Sequence, residues 1–348
     1  MSRQAYKCRR RFRRLYKGNI HIPKANRVTV GYQLAIFDSF DPDVHAEVIA
    51  ESPFEQRLLG VGRFRAELER LALPHSRLDR GWYSLPAYGR GAIPSGWINI
   101  GLTHRTREPA WINGLRLHAD ELQVYAEGAP VDYRCVPGAA WYAFQVRREF
   151  LQNVALAVSR IELPIPAQGM ANFRLPHDVA ARLRASFQAS LRAGSELTTR
   201  GEIRGVEWIE NRLSAEIAQA LSLAILHRDG RTQRATERRL RILRALEEFM
   251  QQRPVSSFAM RDLVTATGAG ERSLEYLVGD AYGVSPRELF RIVRLHQIRN
   301  DLMSGDPRET SVRNLARRWH VLHQGRFAAA YESLFQELPR ETLARRRR

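Results

Sequence analysis

Apolar positions along residues 28–163 come in short runs separated by turn signals: Asp79-Arg80-Gly81, Tyr88-Gly89-Arg90-Gly91, Pro94-Ser95-Gly96, Asn113-Gly114, Glu127-Gly128 and Pro137-Gly138. Many short strands at such spacing predict a β-barrel or sandwich. Asn113-Gly114, flanked by Ala110-Trp111-Ile112 and Leu115-Arg116-Leu117, predicts a two-residue hairpin. From residue 176 the period changes. Val179, Leu183, Phe187 and Leu191 recur at every fourth position. Trp208, Ile209, Leu213, Ile217, Leu221 and Ile225 form a longer stripe. These patterns predict two amphipathic helices over 176–228, broken by the glycine-containing stretch 193–205. The second stripe is longer than a barrel flank needs, so it is expected to form a two-fold contact between chains. Packing against the chain's own barrel is the alternative. Residues 229–236 are polar and read as a linker, after which the pattern is helical to the end.

The last third repeats itself. Arg261-Asp262-Leu263-Val264 matches Arg313-Asn314-Leu315-Ala316 at an offset of 52. Each opens a short helix and is followed by a break, Gly268-Ala269-Gly270 in one copy and His320-Val321-Leu322 in the other. A second helix follows each break, with Leu274 and Val278 matching Phe327 and Tyr331. Each copy ends on an aromatic residue and a proline: Tyr282 to Pro286, and Phe335 to Pro339. Helix, short turn, helix is the layout of a helix-turn-helix, whose second helix enters the major groove. Between the copies, residues 285–304 predict one helix of about 20 residues and ~30 Å. That is close to the ~34 Å between successive major-groove faces on one side of DNA.

Charge gives this pattern a partner. The chain of 348 residues carries a net +18, and the excess is local. Residues 1–27 hold 10 basic and no acidic residues, and residues 231–348 hold 23 basic against 14 acidic. Residues 28–230 are nearly neutral, with 22 basic and 23 acidic. Such a distribution points to a polyanion met by the arm or the C-terminal third, and to a different task for the middle. Only Lys7, Lys17 and Lys24 are lysines. Arginine suits bidentate contacts to phosphate and guanine, although a GC-rich genome favours it as well. Two cysteines, Cys8 and Cys135, build neither a disulfide framework nor a zinc site. The chain has no apolar run long enough to span a membrane and no secretory signal, so a cytoplasmic protein is expected.

Residues 237–343 resemble the DNA-binding domain of AraC/XylS-type transcriptional activators. The resemblance is carried by Leu263, Gly268, Ser273-Leu274 and Tyr282-Gly283-Val284-Ser285-Pro286. It continues through Arg294-Leu295, Ile298-Arg299, Asp301-Leu302, Val312, Leu315-Ala316, Trp319, Arg326-Phe327, Tyr331, Phe335 and Pro339. It implies base-edge contacts from Arg272, Ser273, Glu275 and Tyr276 in the first unit, and from His323, Gln324 and Arg326 in the second. Arg291, Arg294 and Arg299 are expected to position the long helix on phosphates. The family has Gly-Phe at the second turn, where this chain has His320-Val321.

The order of a β-rich domain, two helices and a DNA-binding domain is similar to that of regulators with a cupin-like sensor. Tyr133-Arg134 through Trp141-Tyr142-Ala143-Phe144 resembles their last barrel strands. Aromatic residues could line an effector pocket there, and Trp82, Tyr88, Trp97, Trp111 and Trp141 are the candidates. His75, His104 and His118 are scattered, with no H-x-H or H-x-x-x-H pair, so no metal is expected. No nucleophile elbow, phosphate loop or dinucleotide fingerprint occurs.

The expectation is therefore an α+β chain of two domains without a cofactor. It comprises a basic arm over 1–27, a β-barrel, cupin-like sensor over 28–165, connector or dimerisation helices over 176–228, and an all-α DNA-binding domain over 233–345 with two helix-turn-helix units joined by a long helix. The expected partners are double-stranded DNA, a small-molecule effector, a second copy and RNA polymerase, with no membrane. The alternatives are a metal-free barrel enzyme, or an architectural protein, tethered to DNA.

Overall fold

The computed structural model describes residues 30–40, 54–103, 110–202, 205–226, 230–251, 259–306, 310–321 and 323–345, without the side chains of 225–237. The basic arm 1–27 and His104 lie outside them. The chain divides into two compact units. One joins Arg57–Arg63 to Arg238–Arg348; the other holds Phe64–Glu237 and the residues up to Gln56.

The sheet unit has the expected β-rich character, in two sheets. The larger runs in the order β1 (Gly31–Phe37), β3 (Ala66–Ala72), β4 (Ser76–Tyr83), β11 (Ala140–Val146), β6 (Ile98–Thr103), β9 (Glu121–Tyr125), β12 (Met170–Arg174), β13 (Ile225–Leu226). The smaller runs β2 (Glu55–Leu58), β5 (Ala87–Ala92), β10 (Pro130–Cys135), β7 (Trp111–Ile112), β8 (Leu115–Arg116). Both sheets are open, so the expected barrel is unclosed among the described residues. Asn113 (φ 47°) and Gly114 (φ 72°) close the β7–β8 hairpin with two left-handed residues, as a type I′ turn requires.

Strand alternation assigns the two faces of the larger sheet. Leu78, Ile98, Ile100, Leu102, Leu122, Val124, Tyr142, Phe144 and Val146 point to one face and are buried with the helices. Their neighbours Asp79, Asn99, Gly101, Gln123, Tyr125, Trp141 and Gln145 line a cavity on the other face. The helical layer is α1 (Arg148–Ser159), α2 (His177–Arg200) and α3 (Val206–Ser222). Val179, Leu183, Phe187 and Leu191 of α2 enter the core with Ile209, Leu213, Ile217 and Leu221 of α3. This corrects the expected two-fold contact at Ile209, Leu213, Ile217 and Leu221, which are buried within the chain's own unit, the alternative the pattern allowed; Trp208 of the same stripe stays exposed.

The second unit is helical: α4 (Gly230–Gln251), α5 (Met260–Thr267), α6 (Glu271–Tyr282), α7 (Pro286–Ser304), α8 (Val312–Arg318), α9 (Gln324–Phe335) and α10 (Pro339–Ala344). The expected linker over 229–236 is, from Gly230 on, the start of α4. Ser285 caps α7 by accepting from the Glu288 N–H, and Pro286 fills its first turn. Ser311 caps α8 in the same way through Asn314.

Buried polar groups tie this unit together, and two come from residues 57–63. The Arg57 guanidinium meets Glu247 at 2.5 Å, and Glu247 also accepts from the Tyr282 hydroxyl at 2.8 Å. His296 is buried edge-on against Phe335, and its Nε2 accepts from the Leu58 N–H at 3.1 Å. Burial, with Arg57 nearby, pushes the imidazole down to about 3. The folded value therefore lies below the unfolded value near 6.5. In that window the unfolded chain binds the extra proton, so stability is full above about 6.5 and falls as pH drops towards 3. The expected loss is about 1.4 kcal/mol per pH unit within the window. Urea unfolding at pH 7 and pH 5 checks this against His296→Gln, in which the pH dependence should shrink. Equal pH dependence in the two proteins would refute it.

Candidate nucleic-acid interface

Each helix-turn-helix is built by a left-handed residue that stops its first helix. In the first unit this is Gly268 (φ 65°), whose N–H returns to the Val264 carbonyl. In the second it is His320 (φ 50°). The Val321 N–H reaches the Ala316 carbonyl and the His320 N–H reaches that of Arg317, the paired bonds of a Schellman motif. The departure at His320 thus leaves the turn intact, and the left-handed conformation that glycine adopts freely is imposed on a histidine. His320→Gly is expected to raise the stability of this unit by up to about 1 kcal/mol, and the β-branched His320→Val to lower it by about as much. Urea midpoints of the full chain check both, and a loss of stability with glycine would count against the strain.

Behind each turn a second helix presents its first turn to solvent. On α6, Arg272, Ser273, Glu275 and Tyr276 are exposed, Tyr276 at 71 %, while Leu274 and Val278 face the core. On α9, Gln324 and Arg326 are exposed, with His323 at the N-cap, while Phe327 and Tyr331 are buried. The 3.6-residue period produces this division: with the core positions at 274, 278, 327 and 331, the expected base-reading positions face outward. The second unit is moored to α7 through Asp301, which accepts from the Trp319 indole at 2.8 Å and pairs with Arg318 at 2.5 Å. In the other unit's neighbourhood, Arg239 of α4 pairs with Asp280 of α6 at 2.7 Å.

The three arginines of α7 part company. Arg291 is exposed and held by Glu288 at 2.9 and 2.5 Å, a pairing that keeps its charge where a phosphate could compete for it. Arg294 is half-buried and donates to the Trp319 carbonyl, so it braces the end of α8. Burial lowers its pKa. Arg299 is 2 % exposed, pairs with Glu337 at 3.2 Å and lies over the Phe335 ring. The expected phosphate contact is therefore corrected for Arg299, whose guanidinium is enclosed in the core of the unit, while Arg294 is half-buried and commits one of its N–H groups to the Trp319 carbonyl. Arg299 lies on the inner face of α7, a placement the sequence did not suggest because arginine is seldom buried.

In the sheet unit the five candidate aromatics separate as well. Trp111 and Trp141 line the cavity between the two sheets. Trp141 crosses Gly81 so closely that a Cβ there would lie 2.2 Å from its ring. Trp82 has the parity of Leu78 and so shares the opposite face of β4. The Tyr88 hydroxyl bonds Asp132 at 3.0 Å, and Trp97 is covered by the Arg147 guanidinium at 4.3 Å. None of these three lines the cavity. Sequence reasoning missed the polar cavity residues Asn99 and Gln123, because an isolated amide within a short strand carries no sequence signal for a pocket. It also missed Arg57, which carried no signal. Among the described residues no cluster of His, Cys, Asp and Glu could hold a metal ion, and no helix is long and apolar enough to cross a membrane.

Known proteins match this same region. A family model described as a helix-turn-helix domain matches residues 263–345. The probable thc operon regulatory protein of Rhodococcus erythropolis is 29% identical over 102 residues, which are 29% of this chain and 31% of that protein. XylDLEGF operon transcriptional activator 3 of Pseudomonas putida is 32% identical over 107 residues, 31% of either chain. The chain thus spans about a third of the length of these curated relatives. The solved structure of the AraC-like transcriptional activator CuxR is 15% identical, covering 77% of this chain and 96% of its own, with a TM-score of 0.39, too distant to bear on the arrangement here. Residues 263–345 of this chain are a helix-turn-helix domain, in the region over which the chain is similar to these transcriptional regulators.

Proposed function

We propose that this chain is a sequence-specific DNA-binding transcriptional regulator, acting in the cytoplasm on double-stranded DNA and controlled by a small effector in its sheet unit. One observation carries the reading. Two matched helix-turn-helix units each present polar side chains on the outward first turn of the second helix, at either end of the 19-residue helix α7. In this reading Arg272, Ser273, Glu275 and Tyr276 meet base edges in one groove segment. His323, Gln324 and Arg326 meet them in the next. Arginine, glutamine and serine have the donor and acceptor geometry for guanine and adenine edges, and Glu275 can accept from cytosine. Arg291, exposed, is the first phosphate contact of α7, with half-buried Arg294 beside it. The alternatives, an enzyme or an architectural protein, lack a comparable observation in their favour. A second copy and RNA polymerase are further partners of this reading, the copy docking elsewhere than on the α3 stripe.

The test is selection of bound duplexes from a random pool by the full chain, followed by titration of the winner at several salt concentrations. A defined consensus is expected, and log K should fall linearly with log salt, with a slope near −0.9 per phosphate neutralised. A pool that yields no consensus would reduce the chain to a non-specific binder. Salt-independent binding, or none, would remove the nucleic-acid reading.

A further inference from the structure

The cavity between the two sheets has a volume of about 130 Å³. An apolar cavity of about 150 Å³ accepts a single aromatic ring, so this one has the size of a one-ring compound. One wall, on the smaller sheet and its flanks, is apolar and aromatic: Phe54, Ile93, Trp111, Val131 and Tyr133. The opposite wall, on the larger sheet, sets polar side chains among apolar ones. On β6 and β9 the register sets Asn99 against Tyr125 and Gly101 against Gln123, side by side on the face turned into the cavity.

Three atoms of that wall have no hydrogen-bond partner: Asn99 Oδ1, Gln123 Oε1 and the Tyr125 hydroxyl. Gln123 is wholly buried and Tyr125 is 2 % exposed. Buried polar atoms are nearly always bonded, so such a group marks a place where something else completes the bonds. The Gln123 amide is fixed in orientation. Its Nε2 donates to the Glu121 carbonyl at 2.9 Å and to Asn172 Oδ1 at 3.3 Å, and a flip would set oxygen against two oxygens. The remaining amide atom, Oε1, which lies on the side of the lining residue Gly101, is therefore an acceptor. The Tyr125 phenol, its pKa raised by burial, is neutral and offers a donor. Gly101 leaves the space between them open: a Cβ there would lie 3.2 Å from Gln123 Oε1 and 3.8 Å from Tyr125 Cε2. The charged residues of the lining are one carboxylate, Asp79, and one guanidinium, Arg134, which balance.

We infer that this cavity binds a small uncharged ring compound carrying a hydroxyl group, of the phenol class, with the hydroxyl donating to Gln123 Oε1 and accepting from Tyr125. The inference rests on the effector-controlled reading proposed above and names the effector's chemistry. A single hydroxyl is both donor and acceptor, so one group satisfies two of the three orphaned atoms, Gln123 Oε1 and the Tyr125 hydroxyl. An anionic head would meet the fixed Gln123 oxygen without a proton to offer it. A ring without polar groups would fill the apolar wall and leave the polar wall unbonded.

The test is calorimetric titration of the full chain with phenol, benzoate and toluene at pH 7. Phenol should bind at least about tenfold more tightly than toluene, since each hydrogen bond completed at a buried group favours the complex. Benzoate should bind more weakly than both. Gln123→Leu should abolish the preference of phenol over toluene while toluene still binds, which shows that the cavity is intact. Gly101→Val, which fills the polar corner, should weaken phenol at least tenfold and toluene less. Benzoate binding as tightly as phenol would overturn the proposal. So would an unchanged phenol preference in Gln123→Leu, or no binding of any of the three at millimolar concentration. The readout is independent of DNA. A chain that binds phenol as described but no duplex overturns the regulator reading and leaves this one standing.

Discussion

Arg57→Ala is expected to destabilise the helical unit by about 3–5 kcal/mol, the cost of leaving one partner of a buried ion pair behind. Arg57 and Glu247 are both nearly inaccessible, 3 % and 1 % exposed, and meet at 2.5 Å. Without the guanidinium, the Glu247 carboxylate keeps the Tyr282 hydroxyl but loses its counter-charge in a site that water does not reach. Introducing Glu247→Gln alongside Arg57→Ala removes the stranded charge and should recover part of the loss. Urea unfolding of the three proteins at pH 7 measures both effects. A loss under about 1 kcal/mol would mean that the pair behaves like a surface salt bridge. The same reasoning bears on fragments. A piece covering 233–348 alone looks like a complete domain in sequence, yet it omits 57–63, the source of Arg57 and of the Leu58 N–H on His296. Such a fragment is expected to unfold at lower urea than the same unit in the full chain.

Arg272→Ala and Gln324→Ala are each expected to relax base preference, at positions about one helical turn, roughly 10 base pairs, apart. Losing one good base pairing costs about 1–3 kcal/mol of discrimination. The separation follows from α7, whose 19 residues make a rod of about 28 Å between the two units. The Schellman cap at His320 supports participation of the second helix, because it ends α8 with a left-handed residue as Gly268 ends α5. Arg291→Ala should behave differently. It should weaken every sequence alike and lower the salt slope by about one unit. Selection from a random pool with the wild type and the three variants decides the matter. If Arg272→Ala and Gln324→Ala disturb the same base pairs, the two units do not read separate groove segments.

The sequence by itself determined the local elements of this protein. The repeat at an offset of 52–53, the proline and serine caps and the 3.6-residue period are encoded by neighbouring residues. They located both helix-turn-helix units, the long helix between them and the outward face that holds Arg272 and Gln324. The Asn113-Gly114 hairpin was legible for the same reason, since its turn type depends on two residues. Tertiary structure decided everything that depends on which face meets which partner. The α3 stripe showed a buried face but could not say whether a second chain or the eight-stranded sheet would bury it. Arg299 read as a phosphate contact because charge suggests solvent, until Glu337, distant in sequence, supplied an enclosed partner. Asn99 and Gln123 are isolated amides within short strands, and only the second sheet laid over them turns their face into a cavity wall. Arg57 is the extreme case. Its partner is 190 residues away, and no periodicity or motif records a contact that exists only once the chain has folded around it.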